Sequence, residues 1–142
     1  MIDVFCDGGA RGNPGPAAWG FVIKVGGRTT KEDCGYIGIA TNNFAEYTAL
    51  VKALSYLREN FGGETAKVYL DSKLAVSQLS GEYKIKNLTI ARLVRVVREI
   101  EKGLGNIVYN HIPRERNKEA DRLVNIALNK NAYIRSQNTK GY

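Results

Sequence analysis

Met1-Ile2-Asp3-Val4-Phe5-Cys6-Asp7-Gly8-Gly9 opens the chain, and its reading decides the fold class. Ile2, Val4 and Cys6 alternate with Asp3, Phe5 and Asp7, the two-residue period of a strand, here with both faces largely apolar. Strands buried on both faces lie inside sheets covered by helices. The run ends on a carboxylate, Asp7, followed by a Gly-Gly turn signal. A second run, Lys67-Val68-Tyr69-Leu70-Asp71-Ser72, also ends on an aspartate. Glu46 and Asp121 fall in the first turns of amphipathic segments. Carboxylates at strand ends and helix starts of an α/β protein converge on the crevice where such folds bind ligands. Four unpartnered neighbouring carboxylates repel one another, and divalent cations resolve that repulsion. Two oxygen-ligated cations point to phosphoryl transfer.

The segments between supply the rest of the sheet. Ala17 to Val25 is rich in β-formers, Gly26-Gly27 is a turn, and residues 28–39 return as a third strand. Tyr47, Leu50, Val51, Leu54 and Leu57 recur at helical spacing, which predicts a helix over 43–60 closed by Gly62-Gly63. Ser72 starts a short helix to about Ser80. Ile90, Leu93, Val94, Val97, Ile100 and Leu104 mark a longer one, and residues 106–111 a fifth strand. A last helix is expected over 117–130, with Leu123, Val124, Ala127 and Leu128 inward. The expected organisation is one α/β domain over 1–130, a mixed five-stranded sheet flanked by helices. Residues 131–142 read as a polar, loosely ordered tail.

Composition narrows the partners. The chain has 142 residues, 21 Lys+Arg against 14 Asp+Glu, and a net charge of +7. A basic surplus around one acidic centre fits a polyanion gripped about a metal, although a solvated basic surface has the same composition. No apolar run reaches the ~20 residues of a membrane span, and no signal peptide is expected. Cys6 and Cys34 have no metal-site spacing. Free thiols in a reducing, cytoplasmic compartment are expected, with a disulfide as the alternative.

Four motifs then occur in one order: Asp7-Gly8-Gly9-Ala10-Arg11-Gly12-Asn13-Pro14-Gly15-Pro16; Thr41-Asn42-Asn43-Phe44-Ala45-Glu46; Asp71-Ser72; and His111 ahead of Asp121. Over residues 1–128 this pattern resembles the type-1 ribonuclease H family. The resemblance implies a sheet in order 3-2-1-4-5. It also implies an endoribonuclease that hydrolyses the RNA strand of RNA–DNA hybrids and leaves 5′-phosphate and 3′-hydroxyl ends. Two Mg²⁺ ions, with Mn²⁺ as a substitute, would be held by Asp7, Glu46, Asp71 and Asp121, Asp7 bridging both. His111 would assist leaving-group protonation or release of product and metal. Gly8, Gly9, Gly12, Asn13, Asn42, Asn43 and Ser72 would lie against the nucleic acid, and Thr41 would hold a DNA phosphate. A monomer is expected, with double-stranded RNA as a second candidate substrate.

Each motif also has a plainer reading. The glycine-rich segment serves a hairpin equally well, Thr41 to Asn43 an N-cap, Glu46 a capping box, and a single histidine a surface position. The chain departs from many family members in the loop 78–87, where those members have a Trp- and Lys-rich handle and this chain has only Tyr83 with Lys84 and Lys86, the two lysines expected to touch substrate. Ile39 stands where some animal members have an Arg, so the DNA grip is thinner. Arg92, Arg95 and Lys102 offer a basic helical face, interrupted by Glu99. Two rivals fit less well. A non-catalytic hybrid-binding module would have lost a carboxylate, and an actin-like kinase lobe needs a second lobe. A transposase or integrase core, usually built on three acids, is the remaining relative.

Overall fold

The computed structural model describes residues 1–140. β1 (Ile2–Ala10), β2 (Gly15–Val25) and β3 (Arg28–Ala40) form an antiparallel meander. After α1 (Asn42–Phe61) the chain enters β4 (Ala66–Leu70), then α2 (Lys73–Leu79), α3 (Leu88–Glu101) and β5 (Ile107–His111). A 3-10 turn at Arg114–Arg116 precedes α4 (Lys118–Lys140). β4 and β5 add in parallel beside β1, giving the sheet order β3-β2-β1-β4-β5 expected from the resemblance.

Strand alternation sorts the core into two layers. Ile2, Val4 and Cys6 of β1 join Trp19, Phe21 and Ile23 of β2 and Val68 and Leu70 of β4. Against them pack Tyr47, Leu50, Leu54 and Leu57 of α1 and Ile90, Val97 and Ile100 of α3. Each fully buried leucine contributes about 2 kcal/mol, so packing rather than helix propensity holds α1. The opposite face is thinner: Ala18 of β2 meets Val124, Ala127 and Leu128 of α4.

Two expectations change. β1 does not stop at Asp7 but runs to Ala10, because its antiparallel pairing with β2 continues to Ala10↔Ala17 after β4 has dropped away at Cys6↔Leu70. Gly8-Gly9 is therefore strand and not turn. α4 also continues through the expected loose tail to Lys140, with residues 132–138 exposed. The absent core pattern was real, yet extending a helix already nucleated on the sheet needs no core. Residues 141–142, the end of the expected tail, lie outside the described residues. Cys6 and Cys34 are both free thiols, Cys6 buried and Cys34 half-buried.

Candidate active site

The parallel register determines where the acids meet. The last β1–β4 pair is Cys6↔Leu70, so Asp7 and Asp71 occupy the next position on each strand, just where the two separate. Glu46 enters from the second turn of α1. Gly8 makes that approach possible: a Cβ there would lie 2.2 Å from the carbonyl carbon and oxygen of Ala45 and 2.4 Å from the Glu46 nitrogen. Carboxylate oxygens of Asp7, Glu46 and Asp71 all lie within 4.8 Å of one another. Asp121, in the first turn of α4, lines the same crevice of about 750 Å³ without joining that tight cluster.

The cluster is buried and electrostatically unsatisfied. Asp7 is 4% and Glu46 5% exposed. Burial, and then the charge of Asp71, push the Asp7 carboxyl up to about 7. Burial, followed by the charges of Asp7 and Asp71, raises Glu46 well above the usual glutamate range. Glu46 Oε2 is buried and accepts no hydrogen bond. Oxygen-only ligands, mutual repulsion and an orphaned acceptor fit a hard divalent cation such as Mg²⁺ or Mn²⁺.

A pH prediction follows from Asp7. Its folded pKa of about 7 lies above the ordinary 3.8, so between those values the folded chain holds a proton that the unfolded chain has released. The associated stability, at most about 4 kcal/mol, is full below about pH 4 and lost as pH rises through 7. In EDTA the thermal midpoint should therefore be lower at about pH 8 than at about pH 5.5. Millimolar Mg²⁺ should raise it more at the higher pH, and equal increments at both would contradict cation binding by this cluster.

Around the acids the backbone is tied down by amide side chains. Thr41 caps α1, its Oγ1 accepting from Phe44 N at 3.2 Å. That position removes the capping-box reading of Glu46, which lies too far from the cap for such a box. Asn42 Oδ1 accepts from Ala10 N at 2.8 Å, and Asn42 N donates to Asn13 Oδ1 at 3.0 Å. Ser72 caps α2 through Ala75 N at 3.1 Å. Gly8, Gly9, Asn13, Asn42, Asn43 and Ser72 all line the crevice beside the acids. Thr41 lines a neighbouring groove of about 520 Å³ with Asn13, Asn43, Asn87 and Thr89. Gly12 sits in the β1–β2 turn and lines neither cavity. Lys84 and Lys86 are exposed in the α2–α3 loop, also outside both. His111 ends β5 opposite Leu70, exposed and outside the crevice lining.

Sequence reasoning missed Asn117 and Arg114. Asn117 is 1% exposed. Its Nδ2 donates to Cys6 O at 2.8 Å and to Asp71 Oδ2 at 3.3 Å, and its carbonyl accepts from Asp121 N at 3.0 Å. It thus links β1 to two of the acids, and an Asn one helical turn before Asp121 was the available signal. Arg114 lines the crevice as its nearby cation in the loop before α4. Arg11 also lines it, its guanidinium fixed by Asn129 Oδ1 at 2.6 Å.

A family model described as reverse transcriptase-like matches residues 5–127. The chain also superposes on LC11-RNase H1, solved in complex with an RNA/DNA hybrid, with a TM-score of 0.89 and 42% identity over 93% of this chain and 99% of that one. The chain belongs to the type-1 ribonuclease H family. Among curated relatives, ribonuclease HI of Halobacterium salinarum is 39% identical over 89% of this chain and 64% of its own length. The bifunctional protein Rv2228c of Mycobacterium tuberculosis is 41% identical over 89% of this chain but only 35% of its own length. The chain thus spans between a third and two thirds of these two relatives. Among the described residues no helix is long and apolar enough to cross a membrane.

Proposed function

We propose that this chain is a divalent-metal-dependent endoribonuclease that hydrolyses the RNA strand of RNA–DNA hybrids, leaving 5′-phosphate and 3′-hydroxyl ends. The observation that carries this reading is the cluster of Asp7, Glu46 and Asp71 oxygens within 4.8 Å, with Asp121 across the same crevice. Two bound Mg²⁺ ions would supply an activated water and stabilise the leaving 3′-oxygen. The protein's own part is to hold four carboxylates in register and to present the RNA strand to them. Asp7, on the central strand with Glu46 and Asp71 beside it, would hold the cations from the middle of the cluster.

Substrate reading falls to groups beside the acids. Residues 8–11 and the asparagines Asn13, Asn42 and Asn43 line the crevice, where they can test for a 2′-hydroxyl, the group that separates RNA from DNA. Asn43 Oδ1 is buried without a hydrogen-bond partner, an acceptor free for such a hydroxyl. Thr41, Asn87 and Thr89 line the neighbouring groove, which suits a phosphate of the DNA strand. A monomer working in the cytoplasm fits this reading.

Product ends test the chemistry. A hybrid with 5′-labelled RNA should be cut internally in Mg²⁺, its DNA strand intact, with fragments that a polymerase extends. Cyclic phosphate or 3′-phosphate ends would mean that the 2′-hydroxyl is the nucleophile, and the reading would fail. His111 enters as a group that moves a proton or aids release from the β5 end. His111→Ala should lower kcat roughly 10²-fold. Because the side chain is exposed, KM and thermal midpoint should scarcely change. Full turnover would remove His111 from the mechanism.

A further inference from the structure

Helices α1 and α3 pack side by side, and the cleft between them holds two grooves in line. Near their N-terminal ends lies the groove of Thr41, Asn43, Phe44, Asn87 and Thr89. Further along, a second groove of about 590 Å³ has Val51, Val96 and Ile100 in its wall and Arg58, Arg92 and Arg95 on its rim. Among the described residues none of these three arginines makes an ion pair. The one acid in the groove, Glu99, is held by Lys102 at 2.8 Å, and Arg58 of α1 joins Arg92 and Arg95 of the expected basic face in lining it. The Arg58 stem is seated on Gly103, where a Cβ would come within 2.6 Å of its Cδ. From Phe44 to Arg58 the path along α1 is about 21 Å, long enough for a few nucleotides of a single strand.

Resting on the hybrid reading, we propose that this cleft binds a single-stranded extension of the substrate's DNA strand, leaving the phosphate groove at Thr41 and Asn87 and crossing Arg92, Arg95 and Arg58. Charge complementarity, and the position of both grooves along the α1–α3 pair, favour this occupant. Single strands are held by a cationic groove that follows their backbone. The site would serve hybrids that adjoin unpaired DNA and offset the thin α2–α3 loop.

The test compares a blunt hybrid with hybrids whose DNA strand extends about eight nucleotides beyond either end. Wild type should show a KM roughly tenfold lower for one of the two extensions, which corresponds to about 1.4 kcal/mol. Arg58→Gln, Arg92→Gln and Arg95→Gln together should erase that gain. They should also flatten the salt slope of extended-substrate binding by about two units. Kcat on the blunt hybrid and the thermal midpoint should stay unchanged, since all three side chains are exposed. The corresponding triple Lys variant should retain most of the gain. Normal blunt cutting with no gain from either extension, or a gain that survives the Gln variant, overturns the assignment. So does an oligoglutamate of equal charge that competes as well as DNA, which would make the occupant an acidic peptide. Failure of wild type to cut the blunt hybrid would instead overturn the substrate reading itself.

Discussion

Asp7→Asn should lower hybrid cleavage by about three decades or more while hybrid affinity changes little. The amide keeps the size and leaves every substrate-facing group in place, but it removes the central negative charge of the cluster. Lost stabilisation of several kcal/mol at the reacting phosphate corresponds to that loss of rate. Stability should move the other way. Burial and the Asp71 charge raise Asp7 to about 7, so a neutral amide relieves repulsion in the metal-free protein near pH 8. Slow, cooler-melting protein would point to simple misfolding; slow, warmer-melting protein is the expected signature. A folded variant that kept a tenth of wild-type turnover would contradict the role given to Asp7.

Gly8→Ala should damage both fold and activity, although it adds only one methyl group. That methyl would fall 2.2 Å from the Ala45 backbone and 2.4 Å from the Glu46 nitrogen. Neither neighbour is a flexible side-chain end, so α1 must back away from β1. Overpacking of this kind costs about 3 kcal/mol. The same shift carries Glu46 away from Asp7 and Asp71, and a displacement near 1 Å at a reacting centre costs about 10²-fold in rate. Gly9→Ala is the matched control, because its Cβ would meet only Val124 Cγ1 at 3.8 Å. Thermal midpoints and kcat of the pair should differ sharply, and equal tolerance of both substitutions would contradict the close β1–α1 approach.

Periodicity made most of the architecture legible. Alternation marked β1, a run of β-formers marked β2, and one apolar stripe marked α1 to within a residue at each end. The acids were legible because each sits where strand or helix pattern begins or ends. What sequence could not supply was the third dimension. Gly8-Gly9 carries a turn signal, yet the glycines serve a strand that a helix nearly touches. Asn117 matters through contacts with Cys6 and Asp71, residues distant in the chain. Arg58 joins Arg92 and Arg95 only because α1 and α3 pack together. The end of α4 was missed for a different reason: residues 132–138 are all exposed, so no apolar pattern announces them.

One experiment bears most directly on the central claim, that the carboxylate crevice cuts RNA paired with DNA. An RNA–DNA hybrid, an RNA–RNA duplex and a DNA–DNA duplex of one sequence are incubated with the chain, with Mg²⁺ and with EDTA. The expected result is internal cutting of the hybrid's RNA strand in Mg²⁺, no cutting in EDTA, and an intact DNA duplex throughout. Cutting of the RNA–RNA duplex would add it as a second substrate of similar minor-groove shape. A hybrid left whole in Mg²⁺, or cut equally well in EDTA, would contradict it.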